Sequence, residues 1–290
     1  MVTQVVSRFA PSPTGRLHLG HAYSAMLAHD LARYGRGAFL LRIEDIDPGR
    51  ARPEHVDGII KDLAWLGLHW DGEILFQSQR LALYAAALGR LKAQRLVYPC
   101  FCTRSAIAAE IAASASAPHG PDGPHYPGTC RRLGEDERSR RMAAEAHAWR
   151  LDVARAAAQA GPLGWRDGEA EVQAEPEAFG DVVLARKDAP VSYHLAVTLD
   201  DAAQGVTDIV RGRDLYQATH VHRLLQALLG LPTPSYHHHP LLTDADGQRL
   251  AKRNGAPTLA GLRDAGVDPA RLLADLRTGH LPGGYSVAAT

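Results

Sequence analysis

Two histidines three residues apart, His18 and His21, close the run Arg8-Phe-Ala-Pro-Ser-Pro-Thr-Gly-Arg-Leu-His-Leu-Gly-His21. Imidazoles flanking a glycine where a helical pattern begins suit a polyphosphate. The first turn offers unpaired backbone N–H groups and a positive dipole end, and Gly20 permits a close approach. The two rings can donate to charge building up on a phosphate in flight. A blander reading, two histidines facing solvent at a helix start, accounts for H-x-G-H alone. The run is neither G-x-G-x-x-G nor G-x-x-x-x-G-K-[ST], which disfavours dinucleotide cofactors and P-loop hydrolysis.

The elements that must position these residues follow from hydrophobic spacing. Val5 and Val6 precede the loop, and Met26, Leu27, Leu31 and Tyr34 recur at near-helical intervals before Gly35 and Gly37. Residues 38–44 then form an apolar run of strand length, so residues 2–45 read as the strand, helix, strand unit of a parallel sheet. Ligands of such sheets lie beyond the carboxyl ends of the strands, which brings Arg8 and Glu44 beside the loop. Residues 52–68 and 76–97 each carry an amphipathic helix. Residues 179–186 read as a strand with its turn, and the segments 191–200 and 205–214 are apolar runs ending in polar groups. Tyr193 can offer a hydroxyl to a small ligand, and Arg211, ending the run 206–210, would reach the same edge as Arg8. Gln217 to His220 open a helix through Leu229. The triplet His237, His238, His239 is a poor single-ion site, because successive strand residues point to opposite sides, and it reads as an ordinary strand entering a loop. In that loop Lys252, on a glycine-bordered segment, could close over a triphosphate.

Composition sets the frame. The chain has 290 residues, 46% of them hydrophobic, ample for one large domain or two modest ones. Lys and Arg number 32 and Asp and Glu number 32, so contact with nucleic acid would need a local patch rather than an overall basic field. Neither a signal-peptide pattern nor a membrane-length apolar run is present in the sequence, which points to the cytoplasm.

Three cysteines, all between residues 100 and 130, do not make a disulfide framework. Cys100 and Cys102, with Cys130 after a Pro-Gly turn, could converge on a zinc ion that wants a fourth ligand. His125 and Tyr126 are the candidates, imidazole being chemically the commoner. Residues 104–124 are poor in bulky apolar groups and read as a mobile surface loop. Residues 131–147 read as a solvated helix.

The run from Arg8 to His21, with Arg42-Ile-Glu-Asp45 after it, resembles the signature of class I aminoacyl-tRNA synthetases, glutamyl branch. Residues 249–253 are similar to their mobile lysine motif, KMSKS, with Lys252 at the second lysine, Arg249 where lysine is usual and Ala251 where serine is usual. The resemblance implies an α/β fold, a Rossmann-like parallel sheet with helices on both faces. Residues 1–99 and 148–243 would be its halves, 100–147 an inserted zinc-binding module, and 244–290 the lysine loop with a short helical tail. It also implies ATP, with Mg, as substrate, activating L-glutamate as an adenylate. His18, Gly20, His21 and Lys252 would face ATP, with His18, His21 and Lys252 catalytic. Arg8, Phe9, Ala10, Pro11, Ser12, Glu44, Tyr193 and Arg211 would hold glutamate. Glu44 and Ser12 would take its ammonium, and Arg8, Arg211 and Tyr193 its side-chain carboxylate. One structural Zn would sit on Cys100, Cys102, Tyr126 and Cys130, since the resemblance puts tyrosine at the fourth position. Val197 stands where many full-length glutamyl-tRNA synthetases have asparagine.

Only 37 residues follow Arg253, too few for an anticodon-binding domain. That compact form resembles the glutamyl-Q tRNA(Asp) synthetase family, which implies queuosine-containing tRNA(Asp) as acceptor, with no obligate protein partner evident. A truncated glutamyl-tRNA synthetase, a small nucleotidyltransferase and a catalytically silent glutamate- or RNA-binding paralogue are the competing readings.

Overall fold

The computed structural model describes residues 4–113, 119–120, 123–244, 250, 257–279, 281 and 285–288. The first strand β1 (Val6–Phe9), helix α1 (Leu19–Tyr34), strand β2 (Ala38–Ile43), helix α2 (Pro53–Trp65) and strand β3 (Leu75–Phe76) form a three-stranded parallel sheet in the order β1-β2-β3. The sheet-facing side of α1 is mostly small, with Ala22, Ala25, Ala28 and Ala32 buried around Met26, so the helix lies close over Phe39 and Leu41. Gly37 makes the return to β2 possible: a Cβ there would lie 1.7 Å from the Val5 carbonyl oxygen.

After helix α3 (Leu81–Ala93) the chain enters β4 (Val97–Cys100) and the cysteine region. Residues 104–124 are not a featureless loop. They contain helix α4 (Arg104–Ala113) and two paired short strands, β5 (His119–Gly120) and β6 (Gly123–Pro124). Alanine, which sequence reading counted as lack of core, is the best helix former, and the Thr103 hydroxyl caps α4 by accepting from the Ala106 N–H at 3.0 Å. Helix α5 (Glu135–Ala144) buries no residue, matching its solvated composition. Strand β7 (Ala148–Leu151) pairs antiparallel with β4 and with β10 (Val183–Ala185), so the module springs from a small sheet of its own. Between β7 and β10 lie helix α6 (Val153–Ala160) and the hairpin β8 (Gly164–Asp167) to β9 (Ala170–Gln173).

The second parallel unit follows. Segment 191–200 is helical: α7 (Tyr193–Ala203) precedes β11 (Asp208–Gly212), α8 (Ala218–Leu229) and β12 (Ser235–His239). The order β11-β12-β8-β9 is parallel through β8, with β9 antiparallel. The two units meet where the Thr207 N–H donates to the Val6 carbonyl at 2.9 Å and the Val6 N–H to the Thr207 hydroxyl at 2.8 Å. Strands β1 and β11 therefore run side by side in the middle of the molecule, with helices packed over them. The chain ends with β13 (Leu242–Thr243), α9 (Leu259–Asp264), α10 (Pro269–Thr278) and β14 (Ser286–Val287). Leu259, Leu272 and Leu276 join the same core as Leu41 and Ile43. No helix among the described residues is long and apolar enough to cross a membrane.

Candidate active site

Beyond the carboxyl ends of β1 and β11 lies a cavity of about 440 Å³. Arg8, Phe9, Ala10, Pro11, Ser12, His18, Gly20, His21, Glu44, Tyr193 and Arg211 all line it. Of the site residues expected around the substrates, Lys252 lies outside the described residues, as do Arg249 and Ala251. Leu250, from the same segment, is described and lines the cavity. The loop that carries the first group is tied down by its own prolines: the Pro11 carbonyl accepts from the Glu44 N–H at 3.1 Å and the Pro13 carbonyl from the Arg52 N–H at 3.0 Å. Val197, one turn along α7 from Tyr193, is buried and is not among the lining residues.

The start of α1 departs from expectation. Its first N–H groups are not all left for a ligand, because His18 Nδ1 accepts from the Gly20 N–H at 3.1 Å and His21 Nδ1 accepts from the His18 N–H at 3.2 Å. The two rings thus make a capping box, a role that histidine seldom signals in sequence. With both Nδ1 atoms accepting, each neutral ring carries its proton on Nε2. The ring centroids are 3.9 Å apart. Gly20 eases this fold-back, since a Cβ there would come within a tight 3.0 Å of His18 Cε1. Two imidazoles, their planes tilted by 48°, thus occupy N–H groups that a bare helix start would leave open to an anion.

Arg8 is held from behind. Its Nε and Nη2 donate to Asp201 at 2.8 and 3.3 Å, and Arg42, which is fully buried, donates to the same carboxylate at 2.8 Å and to Gln204 at 2.8 Å. Burial would raise the Asp201 carboxyl, but the two guanidiniums hold it down to about 2. The opposite balance governs Glu44. Burial pushes it up to about 7, against the pull of Arg42 and Arg8, because the nearest contact with Arg42 is 3.7 Å. Sequence reading had no reason to single out Asp201; the only sign was a pair of carboxylates, Asp200 and Asp201, ending an apolar run.

Arg211 is 5% exposed. Its Nε donates to His238 Nε2 at 3.1 Å, its Nη2 to the Thr219 hydroxyl at 2.6 Å, and its Nη1 makes longer bonds to His222 Nδ1 at 3.3 Å and the Tyr193 hydroxyl at 3.5 Å. All of these partners are neutral. Burial and the neighbouring guanidinium lower His238 to about 4 and carry His222 well below the ordinary imidazole value. No carboxylate among the described residues forms an ion pair with Arg211, so a buried positive charge borders the cavity without a counterion of its own. The histidine triplet divides its rings: His237 goes to Asp208 at 2.8 Å, His238 to Arg211 and Asp167, and His239 to the cavity wall. What sequence missed at His238 is register, for Arg211 and His238 are direct neighbours in the β11–β12 pair.

The Sγ atoms of Cys100, Cys102 and Cys130 lie within 4.8 Å of one another. The Tyr126 hydroxyl is 3.4 Å from Cys102 Sγ and accepts from the Cys130 N–H at 2.9 Å. His125 turns elsewhere, its Nε2 2.7 Å from the Ala178 carbonyl. Three sulfurs and a phenol oxygen therefore converge, a donor set that fits a four-coordinate soft or borderline cation. Burial pushes the Cys102 thiol up to about 11; it also opposes ionisation of Cys130, which hydrogen bonds from Tyr126 and the Phe101 amide nevertheless hold below the usual thiol range. A second cavity of about 460 Å³ runs from this module toward the first, sharing Ser12, Thr14, Glu44 and Tyr193 with it and reaching Arg150 and Tyr126.

Residues 4–281 match the family described as tRNA synthetases class I (E and Q), catalytic domain, and the chain belongs to that family of ligase-type enzymes. It is 52% identical over 274 residues to the glutamyl-Q tRNA(Asp) synthetase of Rhodobacter capsulatus, covering 92% of this chain and 97% of that one. The glutamyl-Q tRNA(Asp) synthetase of Symbiobacterium thermophilum is 46% identical over 286 residues, 94% of this chain and 84% of the relative. Among solved structures, a glutamate tRNA ligase from Elizabethkingia meningosepticum in complex with its amino acid superposes with a TM-score of 0.79 at 25% identity. That match covers 95% of this chain, which spans 61% of the length of the ligase. The expected fold class is thereby established, and a parallel-sheet class I catalytic domain is what the strands build.

Proposed function

We propose that the chain activates L-glutamate with ATP and transfers it to the queuosine base of tRNA(Asp), the activity carried in the names of its relatives. The observation that carries this reading is Arg211, a buried guanidinium whose described partners are all neutral, bordering the same cavity as Arg8 and the paired imidazoles. An anionic side chain completes such a site. A neutral amide would leave charge unpaired, which favours glutamate over glutamine.

In the first step the glutamate α-carboxylate attacks the α-phosphorus of ATP, and pyrophosphate leaves. Arg8, Arg211 and Tyr193 meet the side-chain carboxylate, while Glu44 and Ser12 take the ammonium, beside Phe9, Ala10 and Pro11. Nε2–H groups of His18 and His21 donate to the phosphates, with Gly20 keeping the rings close and Lys252 adding positive charge. Positioning and electrostatics carry such a displacement without an enzyme nucleophile. In the second step a hydroxyl of the acceptor, entering through the second cavity, attacks the glutamyl carbonyl; the bond to AMP breaks and the proton leaves with the phosphate. A zinc ion on Cys100, Cys102, Cys130 and Tyr126 would brace the wall of that cavity, its four-ligand set marking it as structural. The setting is the cytoplasm.

Labelled glutamate offered with ATP to queuosine-containing and queuosine-free tRNA(Asp) tests the proposal. Incorporation into the first alone is expected, together with glutamate-dependent ATP–pyrophosphate exchange in the absence of tRNA. Incorporation at the 3′ end irrespective of queuosine would establish the glutamyl-tRNA synthetase alternative, and absence of any exchange the silent one.

A further inference from the structure

Arg211 can grip a ligand only if its planar fork is held in one orientation, and the structure shows what holds it. On one side His238 accepts from Nε; the opposite ring nitrogen of His238, Nδ1, is 3.0 Å from Asp167 Oδ1, and the same oxygen accepts from the His238 backbone N–H at 3.0 Å. Arginine has no acceptor, so His238 Nε2 must be the bare nitrogen and Nδ1 must carry the proton that Asp167 receives. The His238 side chain is fully buried, its ring stacked on Tyr236 at a centroid distance of 5.8 Å and met edgewise by Trp165 at 5.7 Å. Asp167 belongs to the β8–β9 hairpin, which lies at the far end of the sheet and contributes no residue to the lining of the first cavity.

We propose that Asp167 and His238 are positioning residues for Arg211: the carboxylate fixes the imidazole tautomer, the imidazole fixes the guanidinium plane, and the hairpin thereby sets the affinity for the anionic amino acid. The arrangement also places a carboxylate one ring away from Arg211. It steadies the cation without competing for the face that the ligand uses. The inference rests on the assignment of Arg211 to glutamate made above.

Two measurements separate the fate of this inference from that of the assignment. Long-range proton–nitrogen spectra of the histidine rings report the tautomer directly: His238 protonated on Nδ1 is expected in the parent, and a ring protonated on Nε2 overturns the proposal whatever the substrate is. In glutamate-dependent ATP–pyrophosphate exchange, His238→Leu is expected to raise the glutamate KM on the order of ten-fold while leaving kcat and the ATP KM within about two-fold. His238→Gln, whose amide can accept from Arg211 and donate to Asp167, should recover most of the loss. Asp167→Asn, a change in the hairpin rather than the core, should raise the glutamate KM several-fold and lower the preference for glutamate over glutamine. An unchanged glutamate KM in Asp167→Asn, or equal losses for glutamate and ATP in both variants, sinks the idea. If the parent shows no exchange at all, the assignment of function fails, and the tautomer alone decides the positioning chain.

Discussion

At the scale of single residues, the site is governed by which charges are balanced and which are not. Asp201 neutralises the arginines behind the cavity, Arg211 has only neutral partners among the described residues, and Glu44 sits between, its carboxyl raised to about 7 by burial against the pull of Arg42 and Arg8. A ligand ammonium at Glu44 favours the carboxylate and lowers its pKa, so binding must release a proton from the free protein below about pH 7. Glutamate affinity is therefore expected to strengthen as pH rises toward 7, with a limiting slope of about ten-fold per pH unit, and to level off above it. Glutamate KM measured across that interval checks the sign. A flat profile, or one that Glu44→Gln leaves unchanged, would place the ammonium elsewhere. Arg8, Glu44 and Arg211 could be picked out in sequence because each stands at the end of an apolar run, and the family resemblance singled out Tyr193 and gave Arg211 its role. Asp201, Thr219, His222 and His238 could not, since each serves through a partner distant in the chain.

At the scale of elements, strand and helix positions followed hydrophobic spacing closely where one face is buried, as for α1, α2 and α8. Where a segment packs little, spacing carried no information: α4 forms from alanine propensity and a threonine cap, and composition alone made it look like loop. The cysteine module is the other case. Its thiols are brought together where the turn after Gly128, whose φ of 78° admits glycine most easily, lays Cys130 against the end of β4, the Phe101 N–H donating to Cys130 Sγ at 3.4 Å. Protein purified without chelator is expected to carry about one zinc per chain, and Cys102→Ser to lose it along with the protease resistance of residues 97–150. Metal-free parent protein with the module intact would remove the Cys100, Cys102, Tyr126 and Cys130 assignment.

At the scale of the whole molecule, the two parallel units are joined by a buried ionic cluster as well as by the β1–β11 contact. Asp201 of α7 receives Arg8 from β1 and Arg42 from β2, and the adjoining Asp200 receives Arg80 at 2.7 Å, Tyr84 at 2.8 Å and Gln77 at 2.8 Å. Removing one partner leaves two guanidiniums buried without their carboxylate. Asp201→Ala is expected to cost about 3–5 kcal/mol in denaturant unfolding. A loss below about 1 kcal/mol would show that water reaches the cluster and screens it. The same change should weaken glutamate binding, because Arg8 is then free to turn away from the cavity.

With Tyr126 preferred over His125 only through the family resemblance, the sequence by itself determined the parallel α/β plan, the loop from Arg8 to His21 as its centre, and the three cysteines as one cluster. These rest on local spacing and side-chain chemistry, which act over a few residues. Only the tertiary structure decided that His18 and His21 cap the helix they begin, that Asp201 stands behind Arg8, and that Asp167 reaches Arg211 through His238. Such contacts depend on strand register and on which segments share a buried volume of low polarizability, and a charge there takes its partner from whatever the fold brings within about 3 Å.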